Sequence, residues 1–277
     1  MAIFNTVPPL KAGAGIKFDG ERISTAAAPR NLLDNSDFRN PVNQRGQTTY
    51  NANGYTIDRW AILNGVLAIG DGYVAVKEAY QILELDTSKT YTVAARTGEG
   101  ILCLSGTFTA GGEATQGNLT VKMTTNSGRA EVILTNSKTS DTGGAVWAAL
   151  YEGEYTAENL PEYQPKGYGA ELAECQRYYL HDVGKRCVGS VLSDAKVALS
   201  IPTPATFRKA PSVVVRSLDN VICRPGSPQV IPLDSVSNVE VAKNCVIVNF
   251  NTSLAAGELE FSTVCSYSTS IDLVADL

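Results

Sequence analysis

Histidine is almost absent from this chain. His181 is the only one in 277 residues, so any Ser-His-Asp or Cys-His arrangement would have to pass through it. It lies in "YYLHDVG", where a strand is ending, and reads as an ordinary surface residue at a strand end. Cys175, six positions earlier, is a poor match for a nucleophile paired with it. With one imidazole and no CxxC or CxH pair, zinc-type ligand spacing is missing too. No apolar run approaches the roughly 20 residues that cross a bilayer as a helix. The opening "MAIFNTVPPLKAG" has no basic region followed by an apolar run, so no secretory signal is expected. Positive charge is sparse: 23 Lys+Arg against 28 Asp+Glu leave a net charge of −5. Such a chain gains little from phosphate neutralisation, which argues against nucleic acid as a partner.

Helical periodicity is also scarce, and short alternating strands take its place. "GIKFDGERIST" places Asp19-Gly20 as a two-residue hairpin signal. "WAILNGVLAIGDGYVAV" carries Asn64-Gly65 and Asp71-Gly72, which predict a three-stranded meander. "LTVKMTTNSGRAEVILT" has strands on both sides of Asn126-Ser127-Gly128. "KTYTVAAR", "GAVWAALYEG", "PSVVVRSL", "NCVIVNF" and "LEFSTVCSYS" add more. Strands this short and evenly spaced predict an all-β chain of two sandwich or jelly-roll-like domains.

A break falls at residues 159–169, "NLPEYQPKGYG", where Pro161, Pro165, Gly167 and Gly169 interrupt any sheet ladder. "AELAEC" can then make one or two helical turns before "RYYL" starts a new strand. The first 30 residues are too lean to build a core. The division expected is an N-terminal segment at 1–30, a first sandwich at 31–166 and a second β-domain at 167–277. The six cysteines, Cys103, Cys175, Cys187, Cys223, Cys245 and Cys265, read as reduced, mostly buried thiols.

Candidate chemistry is thin. Asp34, Asp37, Asp58, Glu152, Glu154 and Glu158 are acidic enough for a glycosidase pair, but most read as turn, cap or solvent residues. "DNSD", Asp34 to Asp37, superficially resembles a calcium loop without its remaining ligands. A structural calcium is possible but unsupported, and no cofactor is expected. Aromatics cluster at Trp147, Tyr151, Tyr155 and Tyr163, and flat rings can stack on sugars. Trp147, Tyr151 and Tyr155 are the candidate carbohydrate-binding residues, although core filling is the preferred reading for both Trp60 and Trp147.

Two longer stretches resemble a known family. "NLLDNSDFRNPVNQRGQTTYNANGYTIDRW", residues 31–60, looks like the opening of a module common in bacteriophage and prophage tail proteins. "ALYEGEYTAENLPEYQPKGYGAELAECQRYYL", residues 149–180, looks like its exit. Together they bracket a sandwich similar to carbohydrate-binding jelly rolls. "CQRYY" resembles the joint into the distal domain of tail fibres and receptor-binding proteins, and "SIDLVADL" resembles their terminal strand. The resemblance implies a non-enzymatic virion protein, made in the host cytoplasm, that attaches to host surface carbohydrate. It implies a homotrimer, held to a tail, baseplate or other virion protein by the N-terminal segment. A head fibre or decoration protein, and a capsular polysaccharide depolymerase, are the alternatives. Cys175 is expected to pack against the base of the second domain. Tyr178 and Tyr179 are expected on opposite sheet faces, one buried and the other free to meet a neighbouring subunit.

Overall fold

The structure is a computed structural model that describes residues 16–19, 22–25, 29–137, 144–184, 187–192, 196–218, 221–223, 229–242, 245–253, 263–266 and 269–275. Strands dominate, all pairings are antiparallel and a single short α-helix is present among these residues, so the chain is all-β and sandwich-like. No helix among them is long and apolar enough to cross a membrane. Most of the 1–30 segment, to which attachment was assigned, lies outside the described residues. What is described there is a hairpin of β1 (Ile16–Asp19) and β2 (Arg22–Thr25), closed by the pair Asp19–Arg22. Asp19, expected in the turn, thus pairs as the last residue of β1, while Gly20 lies outside the described residues.

The chain divides into two compact units. The first contains residues 1–41, 47–56 and 60–166; the second contains 42–46, 57–59 and 167–277. Two short stretches that the sequence places in the first domain therefore pack with the second unit.

In the first unit, β3 (Thr49–Tyr50), β4 (Gly54–Tyr55), β5 (Ala61–Ile69) and β6 (Val74–Leu83) start one sheet. β7 (Thr90–Thr97) and β8 (Gly100–Thr107) belong to a second. β9 (Gly112–Gln116), β10 (Leu119–Asn126) and β11 (Arg129–Asn136) return to the first, and β12 (Trp147–Glu152) completes the second. The orders are β3-β5-β6-β11-β10-β9, with β4 also on β5, and β12-β7-β8. Alternation explains the layering: Val121 and Met123 from β10 and Val132 and Leu134 from β11 are buried, as are Val93 and Leu102 from the other sheet. The sheets approach closely enough that a Cβ on Gly106 would stand 3.5 Å from Met123 Cε.

The turn signals divide into two kinds. Ser127 and Gly128, both at positive φ, make the two-residue turn joining β10 to β11. Asp71-Gly72 lies in the turn between β5 and β6. Asn64-Gly65, however, is not a turn. It lies inside β5 where the register with β6 shifts on both sides of Asn64, and Gly65 (φ +86) sits in the bulge. Glycine at positive φ serves either purpose, so the expected three-stranded meander is one long bulged strand paired with another.

The second unit opens with α1 (Tyr168–Cys175), preceded by Gly167 at φ +81. β13 (Tyr179–Val183), β14 (Val188–Leu192), β15 (Lys196–Pro202), β16 (Ser212–Ser217) and β17 (Val221–Cys223) follow. The chain then runs through β18 (Gln229–Ile231), β19 (Leu233–Ala242), β20 (Cys245–Thr252), β21 (Thr263–Ser266) and β22 (Ser270–Val274). One sheet has the order β13-β22-β16, the other β18-β17-β21-β14-β15-β20-β19. Leu180, Ile271 and Leu273 from the small sheet share a core with Val197, Leu199, Val246, Val248 and Phe250 from the large one. Cys175 is fully buried in this unit.

Tyr178 and Tyr179 are both buried, so neither is left over for a neighbour. Arginines supplied by the two short insertions cover them. The Arg59 guanidinium lies 3.7 Å from the Tyr178 ring centroid, and that of Arg45 lies 3.7 Å from the Tyr179 ring. Arg45 is held in place by Asp58, at 3.0 Å, and Gln44 donates to the Tyr179 carbonyl at 2.9 Å.

Candidate functional site

β12 explains where the aromatic residues go. Ala148 and Leu150 point into the sandwich, while Trp147, Ala149 and Tyr151 share the opposite face, with Ala94 of the neighbouring β7 beside them. That outer face is not open. The chain leaving β12 doubles back over it, so Tyr155, Leu160 and Tyr163 pack onto the stripe. Thr92 and Ser105 tie the returning chain down. Thr92 Oγ1 accepts from the Tyr155 N–H at 2.9 Å, and Ser105 Oγ donates to the Tyr155 carbonyl at 2.9 Å. A turn at 156–159, in which Asn159 Oδ1 accepts from the Thr156 N–H at 2.6 Å, then sends Leu160 and Tyr163 toward Trp147.

The three residues expected to bind sugar therefore have different environments. Tyr151 is buried at the foot of the stripe, where burial raises its phenol to about 12. Tyr155 is half-buried and meets Tyr151 edge-on, with centroids 6.1 Å apart. Trp147 is largely buried too, but it lines a cavity of about 260 Å³ together with Arg39, Ile101, Leu160, Pro161 and Tyr163, among others. Trp60 fills the core, edge-on to Phe38, and its indole N–H donates to the Asn35 carbonyl at 3.0 Å.

The cavity's defining pair is Trp147 and Tyr163, stacked at 4.6 Å between centroids and 2° between planes. Arg39 stands 6.0 Å from the Tyr163 centroid. Asp37 aims it, accepting from Nε at 2.6 Å and from Nη2 at 3.0 Å, and that hydrogen bond raises the guanidinium's pKa further. Asp37 is itself placed by a backbone bridge to Trp147. Glu162 adds a carboxylate to the lining. The result is a small hollow of mixed polarity, lined by two aromatic rings that stack on each other, one guanidinium and one carboxylate, with aliphatic side chains beside them. Nothing in the sequence singled out Arg39; Tyr163 was visible only as one member of an aromatic group.

Four of the six acidic candidates each pair with a cation. Asp34 pairs with Lys166 at 3.3 Å, Asp37 with Arg39, Asp58 with Arg45, and Glu152 with Lys89 at 2.8 Å. Glu154 and Glu158 are exposed. Among the described residues no three His, Cys, Asp or Glu side chains gather in a group able to hold a metal ion. Comparison with protein-family models, curated proteins and solved structures yields no match.

Proposed function

We propose that this chain is a non-enzymatic virion attachment protein of the bacteriophage tail-fibre or receptor-binding type, and that its first unit holds a single sugar ring of a host surface glycan. The observation that supports the binding reading is the hollow beside the Trp147–Tyr163 stack. Its volume is at the small end of ligand pockets, which suits one ring rather than an extended chain. Apolar and aromatic walls complement the C–H face of a pyranose, while Arg39 can donate to, and Glu162 accept from, its hydroxyls. The virion assignment itself rests on the resemblance of residues 31–60 and 149–180 to tail proteins.

A site this small binds one ring weakly. Repetition over a homotrimer and over several copies on a particle raises the effective concentration and makes attachment useful. The N-terminal segment, which has too few apolar residues for its own core, is assigned to particle attachment. The test mixes the full-length oligomer with permissive host cells and with extracted surface polysaccharide, measuring both retention and reducing-sugar release. Retention without release, lost in Tyr163→Ala, is expected. Steady sugar release would make the protein a depolymerase, and absence of retention would move it to the head of the particle.

A further inference from the structure

In the second unit, a buried carboxylate sits on the outward face of the three-stranded sheet. Asp272 belongs to the central strand β22, where Ile271 and Leu273 point into the core, so its own side chain points the other way. It is nevertheless only 2% exposed. What covers it comes from irregularities on both flanking strands. In β13, His181 and Asp182 together oppose it, because pairing jumps from Leu180–Leu273 to Val183–Ile271. In β16, Arg216 is the extra residue between the pairs Val215–Ile271 and Ser217–Ser270. A bulge re-aims the side chain of its extra residue, and here two bulges aim at one carboxylate.

The convergence brings five donors to the two oxygens, so some lone pairs are shared. Oδ1 faces His181 Nδ1 at 3.0 Å and the Asp182 N–H at 3.1 Å. Oδ2 accepts from the Tyr179 hydroxyl at 2.8 Å, Arg216 Nε at 2.7 Å and Arg216 Nη2 at 2.5 Å. A carboxylate offers about four lone-pair sites. Burial alone would raise the Asp272 carboxyl, but the hydrogen bonds from Arg216, Asp182 and Tyr179 outweigh it and hold the group below its ordinary value, hence ionised.

These contacts also assign the imidazole tautomer. The Tyr179 hydroxyl spends its proton on Asp272, so both oxygens near His181 Nδ1 are acceptors: the carboxylate and, at 3.1 Å, the phenol. Nδ1 therefore carries a proton, and in the neutral ring Nε2 is left as the acceptor, on a ring that is 35% exposed. Beside it Arg216, 51% exposed, has five N–H groups, more than its hydrogen bonds to Asp272 and Tyr179 take up. Val214, paired with Asp272 and exposed, adds an apolar patch on the same face.

We propose that this face is a second ligand site, one that takes a carboxylate flanked by a hydroxyl, the grouping carried by a uronic acid. The ligand carboxylate pairs with the outer N–H groups of Arg216, and its neighbouring hydroxyl donates to His181 Nε2. The buried Asp272 fixes both groups in advance, so little ordering is left for binding to accomplish. The site shares no residue with the Trp147–Tyr163 hollow and stands whether or not that hollow binds sugar.

Because the chain has one histidine, the ring-nitrogen spectrum of the ¹⁵N-labelled full-length protein reports this site alone. It is recorded near pH 8, where an ordinary imidazole is neutral. The free protein should show the Nδ1–H tautomer. Methyl glucuronide should shift Nε2, methyl glucoside should not, and Arg216→Gln should weaken the glucuronide response by about tenfold or more. A longer polyuronide binding more tightly per residue than the monomer would point to a polysaccharide as the source; equal binding would point to free uronate. An Nε2–H tautomer, equal responses to the acid and the neutral sugar, or an undiminished response in a folded Arg216→Gln protein would each overturn the proposal.

Discussion

The ring planes of Trp147 and Tyr163 lie 2° from parallel and 4.6 Å apart, although one residue starts a strand and the other lies in the proline-bearing segment after it. Trp147 belongs to the sheet and Tyr163 to its cover. Their substitutions should therefore behave differently. Trp147→Ala removes a largely buried indole and should cost about 3 kcal/mol or more in urea denaturation. Tyr163→Ala should cost only about 1 kcal/mol, the scale of a stacked aromatic pair, while abolishing glycan retention. Equal stability losses would mean that both rings are simply core.

The Asp272 carboxyl is held below the ordinary carboxylate range in the folded chain. Its stabilising effect is complete above the unfolded-state value of about 4 and is lost as pH falls through the lower folded-state value. Asp272→Asn should therefore lower stability at pH 7 by about 2 kcal/mol, a figure held down because Arg216 is free to turn to water. The substituted protein should also lose less stability than wild type on acidification from pH 5 to about 2. Parallel curves of denaturation midpoint against pH would show that this carboxylate is not what acid attacks.

A fragment comprising residues 167–277 lacks Arg45 and Arg59, which cover Tyr179 and Tyr178 within the second unit, and Asp58, which holds Arg45. It should melt below the corresponding transition of the intact chain, and its near-ultraviolet circular dichroism should weaken. Arg59→Ala in the full chain should reproduce part of the loss, about 2 kcal/mol for a desolvated cation–π contact. A fragment as stable as the unit in the intact chain would show those stretches to be dispensable.

Cys103, Cys175, Cys187 and Cys245 are present as thiols and not as disulfides. Burial pushes the thiol pKa values of Cys103 and Cys187 upward, which disfavours the reactive thiolate. Under denaturing conditions without reductant, all six cysteines of the chain should react with a thiol reagent. In the native protein the fully buried Cys175 should react far more slowly than Cys245. Two missing thiols in the denatured count would reveal a disulfide.

Much of the architecture was legible in the sequence because its causes are local. Alternating apolar residues and turn signals predicted the all-β class, and Asn126-Ser127-Gly128 predicted the break between β10 and β11, although Asn126 itself still pairs within β10. "AELAEC" followed by "RYYL" predicted α1 leading into β13. Where one local signal has two physical outcomes, the pairing partner chose. Asn64-Gly65 could close a hairpin or relax a bulge, and only the register with β6 made it a bulge. The candidate sites were less legible because they are made by long-range convergence. Trp147 and the half-buried Tyr155 could be named as aromatic, but the cover laid over them by Leu160 and Tyr163, and the aim of Arg39, depend on how the chain returns across β12. Asp272 lies 91 positions from His181 and 56 from Arg216. Composition and spacing determined which side chains this protein has available; strand register, set by the packing of entire sheet faces, decided which of them meet.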